Sequence, residues 1–205
     1  MKVKICGITN LEDALLCESL GADMLGFIFY KKSKRYVDPT IVKSICKQLN
    51  TSIKKVGVFV DSPFDEINII SKESGLDLVQ LHGSESIEYK NQLTRPIIKA
   101  IKIKGHYDEQ SVNNWEDVTI LFDTYNEKLV GGTGISFNHN LIPSVMYKKS
   151  IIAGGIGVNN IEQILNRNEQ PFAIDVSSSL EEHEGKKDKN KVNKFFEIIN
   201  KSKKC

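Results

Sequence analysis

Apolar positions along this chain recur in two alternating rhythms. Eight short runs rich in β-branched residues, "VKICGI", "MLGFIF", "KKVGVFV", "LVQLHG", "IIKAIKI", "TILFDT", "SIIAGG" and "FAIDVS", read as strands. Between them lie stretches with helical periodicity: "NLEDALLCESLGA", "DPTIVKSICKQL", "SPFDEINIISKESG", "SESIEYKNQL", "DEQSVNNW", "NHNLIPSVM" and "VNNIEQILNR", with a lysine-rich tail as the eighth. Asp38 before Pro39, Ser62 before Pro63, and Ser84 with acidic residues in the turn after it mark helix starts. Gly21 and Gly75 stand where helices should stop.

Strands that are almost continuously apolar, and separated by single helices, are covered on both faces and pair in parallel through crossovers. Eight such β/α units close a (β/α)8 barrel, a fold of about 200 to 400 residues, and this chain has 205. The expectation is an α/β protein, a single-domain (β/α)8 TIM barrel over residues 1–205. A doubly wound open sheet is the rival, but it normally uses fewer strands, and no GxGxxG follows the first run.

Composition narrows the partners. The 40% of hydrophobic residues suffices for one sizeable core. Basic and acidic residues nearly balance, 28 against 26, and most of the surplus falls in "KKDKNKVNKFFEIINKSKKC". There Val192, Phe195, Phe196, Ile198 and Ile199 recur at helical spacing, so the lysines form the wet face of a helix and no nucleic-acid partner is expected. No apolar run approaches the ~20 residues of a membrane span, and "MKVKIC" is too short for a secretory leader. A cytoplasmic protein without membrane contact is expected. Cys6, Cys17, Cys46 and Cys205 form no CxxC pair and have no histidine cluster beside them, which argues against disulfides and against a metal site. Cys17 and Cys46 fall in amphipathic helices and are assigned to packing.

In a barrel the carboxyl ends of the strands share one mouth. That end collects Cys6, the "KKSKRYV" loop, His82, Asp123, "AGGIG" and "DVSSS". The loops after strands seven and eight often offer backbone N–H groups to a phosphate, which makes Gly155, Gly157, Ser177 and Ser178 candidates. Cys6 and Asp123 arrive from strands one and six. A thiol and a carboxyl facing each other can divide base and acid work if the thiol's ~8.5 is lowered and the carboxyl's ~3.9 raised. Taken alone, each has a plainer alternative: Cys6 as a small buried apolar residue, Asp123 as a cap.

Together and in this order, "KICGIT", "GADMLGFIFYKKSKRYV", "VGVFVD", "VQLHGSES", "LFDT" with "GGTGISF", "IIAGGIGVNNI" and "IDVSSSLEEHEGKKD" resemble the phosphoribosylanthranilate isomerase family of tryptophan biosynthesis. The resemblance implies an Amadori rearrangement of N-(5-phosphoribosyl)anthranilate to 1-(2-carboxyphenylamino)-1-deoxyribulose 5-phosphate, with no metal or organic cofactor and a small molecule as partner. It implies Asp123 as the acid that protonates the ribose ring oxygen and Cys6 as the base that takes the proton from carbon 2. Arg35 would meet the anthranilate carboxylate and Asp175 a sugar hydroxyl, Gln80 and His82 would line the pocket, and "VGGTGISF" would form a loop over the site.

Two stretches depart from the family's usual pattern: Ser179 replaces a glycine, a strained choice if the backbone there is left-handed, and "FNH" with Asn138 and His139 replaces "FDW". A histidine-pathway isomerase doing the same rearrangement would share the barrel but place carboxylates at both acid and base positions. A sugar-phosphate binding protein without activity would need neither Cys6 nor Asp123. Monomer and homodimer both remain open.

Overall fold

The computed structural model describes residues 1–103, 108–123 and 141–202. All eight expected strands form: β1 (Lys2–Cys6), β2 (Met24–Ile28), β3 (Lys54–Phe59), β4 (Leu78–Leu81), β5 (Ile97–Lys102), β6 (Thr119–Asp123), β7 (Ile151–Ala153) and β8 (Ala173–Val176). Each pairs in parallel with the next, and β8 returns to β1 to close the barrel. The closing register sets Lys4 beside Asp175, while on the other flank of β1 Cys6 faces Gly26.

Strand alternation then decides which way each residue points. Val3, Ile5, Leu25, Val79, Leu81, Phe122 and Ile174 pack outward in the larger core under the helices. Met24, Val56, Ile98, Ala100, Leu121, Ile151 and Ala173 fill the barrel itself. Lys4 and Cys6 alternate with Val3 and Ile5, Gln80 lies between Val79 and Leu81, and Asp123 and Asp175 fall two residues beyond Leu121 and Ala173. All five therefore have inward parity.

The outer helices are α1 (Leu11–Ser19), α2 (Pro39–Cys46), α3 (Phe64–Ser74), α4 (Tyr89–Gln92), α5 (Glu109–Asn113), α6 (Ser144–Lys149), α7 (Ile161–Leu165) and α8 (Lys189–Ser202). Asp38 caps α2 with Pro39 in the first turn, and Gly75, at φ 72°, ends α3 in the left-handed conformation. In α3 the capping position falls on Pro63 rather than Ser62 and has no side-chain cap. Val192, Phe195, Phe196 and Ile199 of α8 are buried, as its spacing predicts.

The largest departure is α4, four residues where ten were expected. Glu85 is drawn into the fold instead. Its carboxylate accepts the N–H groups of Asp61 and Gly83 and pairs with Lys99 at 2.6 Å, so the chain after β4 is held in an extended path. Such side-chain to backbone bonds compete directly with helix formation.

The sequence reading also contained no strands after β8. A 3-10 turn at Ser178–Leu180 leads there into an antiparallel hairpin, β9 (Glu181–His183) and β10 (Lys186–Lys187). The hairpin is tied to the first β/α unit. Asp13 in α1 is buried, and accepts both the Lys187 N–H and the Lys186 ammonium at 2.8 Å. An unpaired carboxylate there would be costly, so hairpin and helix hold each other.

Candidate active site

The first cluster is built on β1. Cys6 ends the strand with 7% exposure, and two residues earlier Lys4 is wholly buried inside the barrel, its Nζ 2.9 Å from Asp175 Oδ2. Gly26 makes room for both. A Cβ there would lie 2.7 Å from Cys6 Sγ and 3.0 Å from Lys4 Nζ. Burial pushes the Cys6 thiol above its ordinary range, and Lys4 pulls it back only in part. The lowered thiol expected from sequence is therefore not found, because desolvation outweighs the neighbouring cation. Burial works against the Lys4 ammonium as well, but Asp175 and Cys6 together outweigh it and raise its pKa. Asp175 itself is pushed up by burial and held back by Lys4. Its second oxygen, Oδ1, is buried without a protein partner among the described residues.

Across the mouth, Asp123 Oδ2 lies 3.1 Å from His82 Nε2, and His82 Nδ1 lies 2.8 Å from Gln80 Nε2. With the Gln80 amide donating to Nδ1, the histidine proton sits on Nε2 and is donated to Asp123. The three residues, which nothing in the sequence links, form one hydrogen-bonded chain.

Arg35, in the loop between β2 and α2, passes directly over Gly7. A Cβ at Gly7, whose φ is 76°, would lie 2.8 Å from Arg35 Cδ. This accounts for the glycine that follows the thiol. The guanidinium Nε donates to both oxygens of Glu181 at 2.9 and 3.0 Å, and Nη2 donates to Oε2 at 2.7 Å. Lys187 completes the group: its buried Nζ is 2.9 Å from Glu181 Oε1 and donates to the Cys6 carbonyl at 2.7 Å.

Sequence reasoning missed Lys4, Gly7, Gly26, Glu181 and Lys187. A lysine inside an otherwise apolar strand was a usable signal for Lys4. Glu181 and Lys187 lie in a run of charges that reads as solvated surface.

Burial opposes ionisation of Glu181, but Arg35 and Lys187 outweigh it and hold its carboxyl below the usual range. A depressed carboxyl stabilises the fold above its unfolded value of about 4.3 and loses that contribution as pH falls through its folded value. Urea melts at about pH 6 and about pH 3 should therefore show wild type losing more stability over this interval than Glu181→Gln. Equal losses would deny the network this role.

The two loops proposed for phosphate are clamped to each other. Gly154 and Gly155 adopt φ of 96° and 66°. Asn160 Nδ2 donates to the Gly155 carbonyl, and Asn160 Oδ1 accepts the Gly157 N–H at 2.8 Å. A Cβ at Gly157 would lie 2.7 Å from the Ser179 Cβ, and the Ser179 hydroxyl donates to the Ile156 carbonyl. Ser179 is not among the residues with positive φ, so the strain expected of it is absent; only Asp61 and Asp117 are such non-glycine residues among those described. The Ser177 hydroxyl donates to the Cys6 carbonyl at 3.1 Å, and Ser178 opens the 3-10 turn.

The "VGGTGISF" loop, Asn138, His139 and Cys205 lie outside the described residues. Cys17 is buried in α1 with its thiol pushed up to about 12, and burial raises Cys46 to about 11. Among the described residues no cluster of three or more His, Cys, Asp or Glu could hold a metal ion, and no helix is long and apolar enough to cross a membrane.

Thiol, carboxyl, imidazole and guanidinium thus converge at the carboxyl ends of the strands, the end at which (β/α)8-barrel enzymes carry their chemistry, and the fold places the protein in that class. Comparison with known proteins narrows it. The family model described as N-(5'-phosphoribosyl)anthranilate (PRA) isomerase matches residues 3–198, and the chain belongs to this family. The N-(5'-phosphoribosyl)anthranilate isomerase of Bacillus mycoides (strain KBAB4) is 41% identical over 208 residues, covering 100% of this chain and 99% of its own. A crystal structure of a phosphoribosyl anthranilate isomerase in complex with reduced 1-(o-carboxyphenylamino)-1-deoxyribulose 5-phosphate is 35% identical and superposes with a TM-score of 0.87, over 98% of this chain and 99% of that one. Monomers generated from the dimeric enzyme of Thermotoga maritima are 34% identical with a TM-score of 0.85, covering 100% of both chains. The chain is an isomerase of tryptophan biosynthesis that performs an aldose–ketose rearrangement.

Proposed function

We propose that this chain rearranges N-(5-phosphoribosyl)anthranilate with Asp123 as general acid and Cys6 as general base. The observation that carries the reading is the inward parity of both residues at one barrel mouth, with Asp123 held by His82. Asp123 gives its proton to the furanose ring oxygen. The bond from that oxygen to carbon 1 breaks as the anthranilate nitrogen shares its lone pair, leaving an open-chain iminium. Its positive charge acidifies the proton on carbon 2, and the Cys6 thiolate removes that proton. The electrons of the broken C–H bond form a double bond between carbons 1 and 2, the C=N π pair returns to the nitrogen and neutralises it, and the enolamine so formed tautomerises to the ketone. Side chains supply both proton transfers, so the scheme draws on no metal or organic cofactor.

The remaining residues hold the substrate. Arg35 takes the anthranilate carboxylate through the guanidinium edge that Glu181 leaves unused. Asp175 Oδ1 accepts a sugar hydroxyl. Gln80 acts here through His82, which orients Asp123. Gly155 and Ser178 offer N–H groups to the phosphate, whereas Gly157 and Ser177 shape the loops, since the Gly157 N–H and the Ser177 hydroxyl already have partners. The whole chain, residues 1–205, acts as one catalytic domain in the cytoplasm, as a monomer or homodimer.

The test is a fluorescence assay that follows loss of freshly generated phosphoribosylanthranilate without added metal. Wild type should turn over. Arg35→Ala should raise KM by about tenfold or more while kcat changes less, because a charge-assisted pair to a carboxylate is lost in ground and transition states alike. An unchanged KM would remove Arg35 from the carboxylate site, and an inactive wild type would remove the reaction.

A further inference from the structure

Lys4 is the feature that the acid–base scheme leaves unused. The barrel interior around it is built from Met24, Val56, Leu121, Ile151 and Ala173, and an ammonium taken out of water there is costly unless it is paired. A methionine would fill the same volume. Lys4 nevertheless lies on the same face as Cys6, two residues below it, and Gly26 is the gap at which its Nζ and the thiol sulfur converge.

We propose that Lys4 is a positioning residue for the base step: its ammonium, clamped by Asp175 beneath the mouth, is the positive charge against which Cys6 ionises. The inference rests on the assignment of Cys6 as base. Four charged groups face or flank the thiol. Lys4 comes from β1 itself and Asp175 from β8. Lys187, from β10, has its ammonium committed to the Cys6 carbonyl and to Glu181, and Arg35, from the loop after β2, is committed to Glu181. His82 and Asp123, from β4 and β6, act on Asp175 from across the mouth. Lys187 and Arg35 thus share one buried carboxylate, while Lys4 lies beside the sulfur, with Asp175 setting how much of its charge the thiol experiences. When a substrate hydroxyl donates to the free Asp175 Oδ1, part of that carboxylate's charge is drawn away from Lys4. Substrate binding and thiol ionisation are thereby linked.

Removing the Lys4 charge should therefore leave the thiol harder to ionise. In a chain whose Cys17, Cys46 and Cys205 are replaced by alanine, iodoacetamide reports the ionised fraction of Cys6 alone. Lys4→Met should slow alkylation at neutral pH by about tenfold or more, and move the acid limb of kcat/KM to higher pH. Lys4→Gln, which removes the charge but can still hydrogen-bond Asp175, should do the same. A purely structural role for Lys4 would leave the alkylation profile of a folded variant at that of wild type. A folded Lys4→Met or Lys4→Gln with the alkylation profile and acid limb of wild type overturns the inference. Alkylation is read without turnover. Loss of the base assignment would therefore show separately, as full activity in Cys6→Ala.

Discussion

Asp123→Asn should lower kcat/KM for phosphoribosylanthranilate by about 10²–10⁴-fold, the usual worth of one general acid. The substitution is nearly isosteric, and an asparagine oxygen can still accept the His82 proton, so geometry is kept and only the transferable proton is lost. The hydrogen bond from His82 Nε2 goes to Oδ2, which leaves Oδ1 to carry the proton toward the ring oxygen. Binding of a reduced product analogue should therefore persist while turnover collapses. Removing the histidine tests orientation separately: His82→Ala leaves the proton but frees the carboxyl to rotate, and its loss should be smaller than that of Asp123→Asn. Analogue binding by titration and turnover by fluorescence decide the matter together. If Asp123→Asn keeps near wild-type turnover, another group opens the ring. If binding falls in step with turnover, Asp123 is a substrate anchor rather than an acid.

The parts of this molecule that could be read in the sequence are those set by local rules. Eight strands were legible because parallel strands covered on both faces must be apolar throughout, and because glycine, proline and capping residues mark the helices between them. The candidate residues at strand ends, Cys6, His82, Asp123 and Asp175, followed from the barrel's geometry once the strands were counted. What stayed hidden depends on contacts across long stretches of chain. Lys4 and Asp175 are 171 residues apart, and Arg35 and Glu181 are 146 apart. No periodicity announces that these charges are buried and paired. The shortened α4 has the same cause, since Glu85 answers to Lys99 on β5 rather than to its own turn. The hairpin of β9 and β10 is made of charged residues that would suit solvent equally well. It becomes ordered because Asp13 and Arg35 need partners.

Cys6→Ala should cost a similar factor of about 10²–10⁴ in kcat, with analogue binding retained, and its pH profile should identify the thiol as the group that titrates. Only the thiolate can take the carbon 2 proton. Burial pushes the thiol up, so wild-type kcat/KM should rise with pH on a limb belonging to Cys6, and the residual activity of Cys6→Ala should lack that limb. Cys6→Asp separates charge from chemistry. A carboxyl ionises near about 3.9 before any environmental shift, and at this position it would sit beside the Lys4 ammonium, which favours its charged form. The variant should recover part of the activity that alanine loses and show its acid limb at lower pH than wild type. A limb that stays in place in both variants would belong to another group. A Cys6→Asp protein as inactive as Cys6→Ala would mean that the step needs the reach and polarisability of sulfur, and not merely a base at the end of β1.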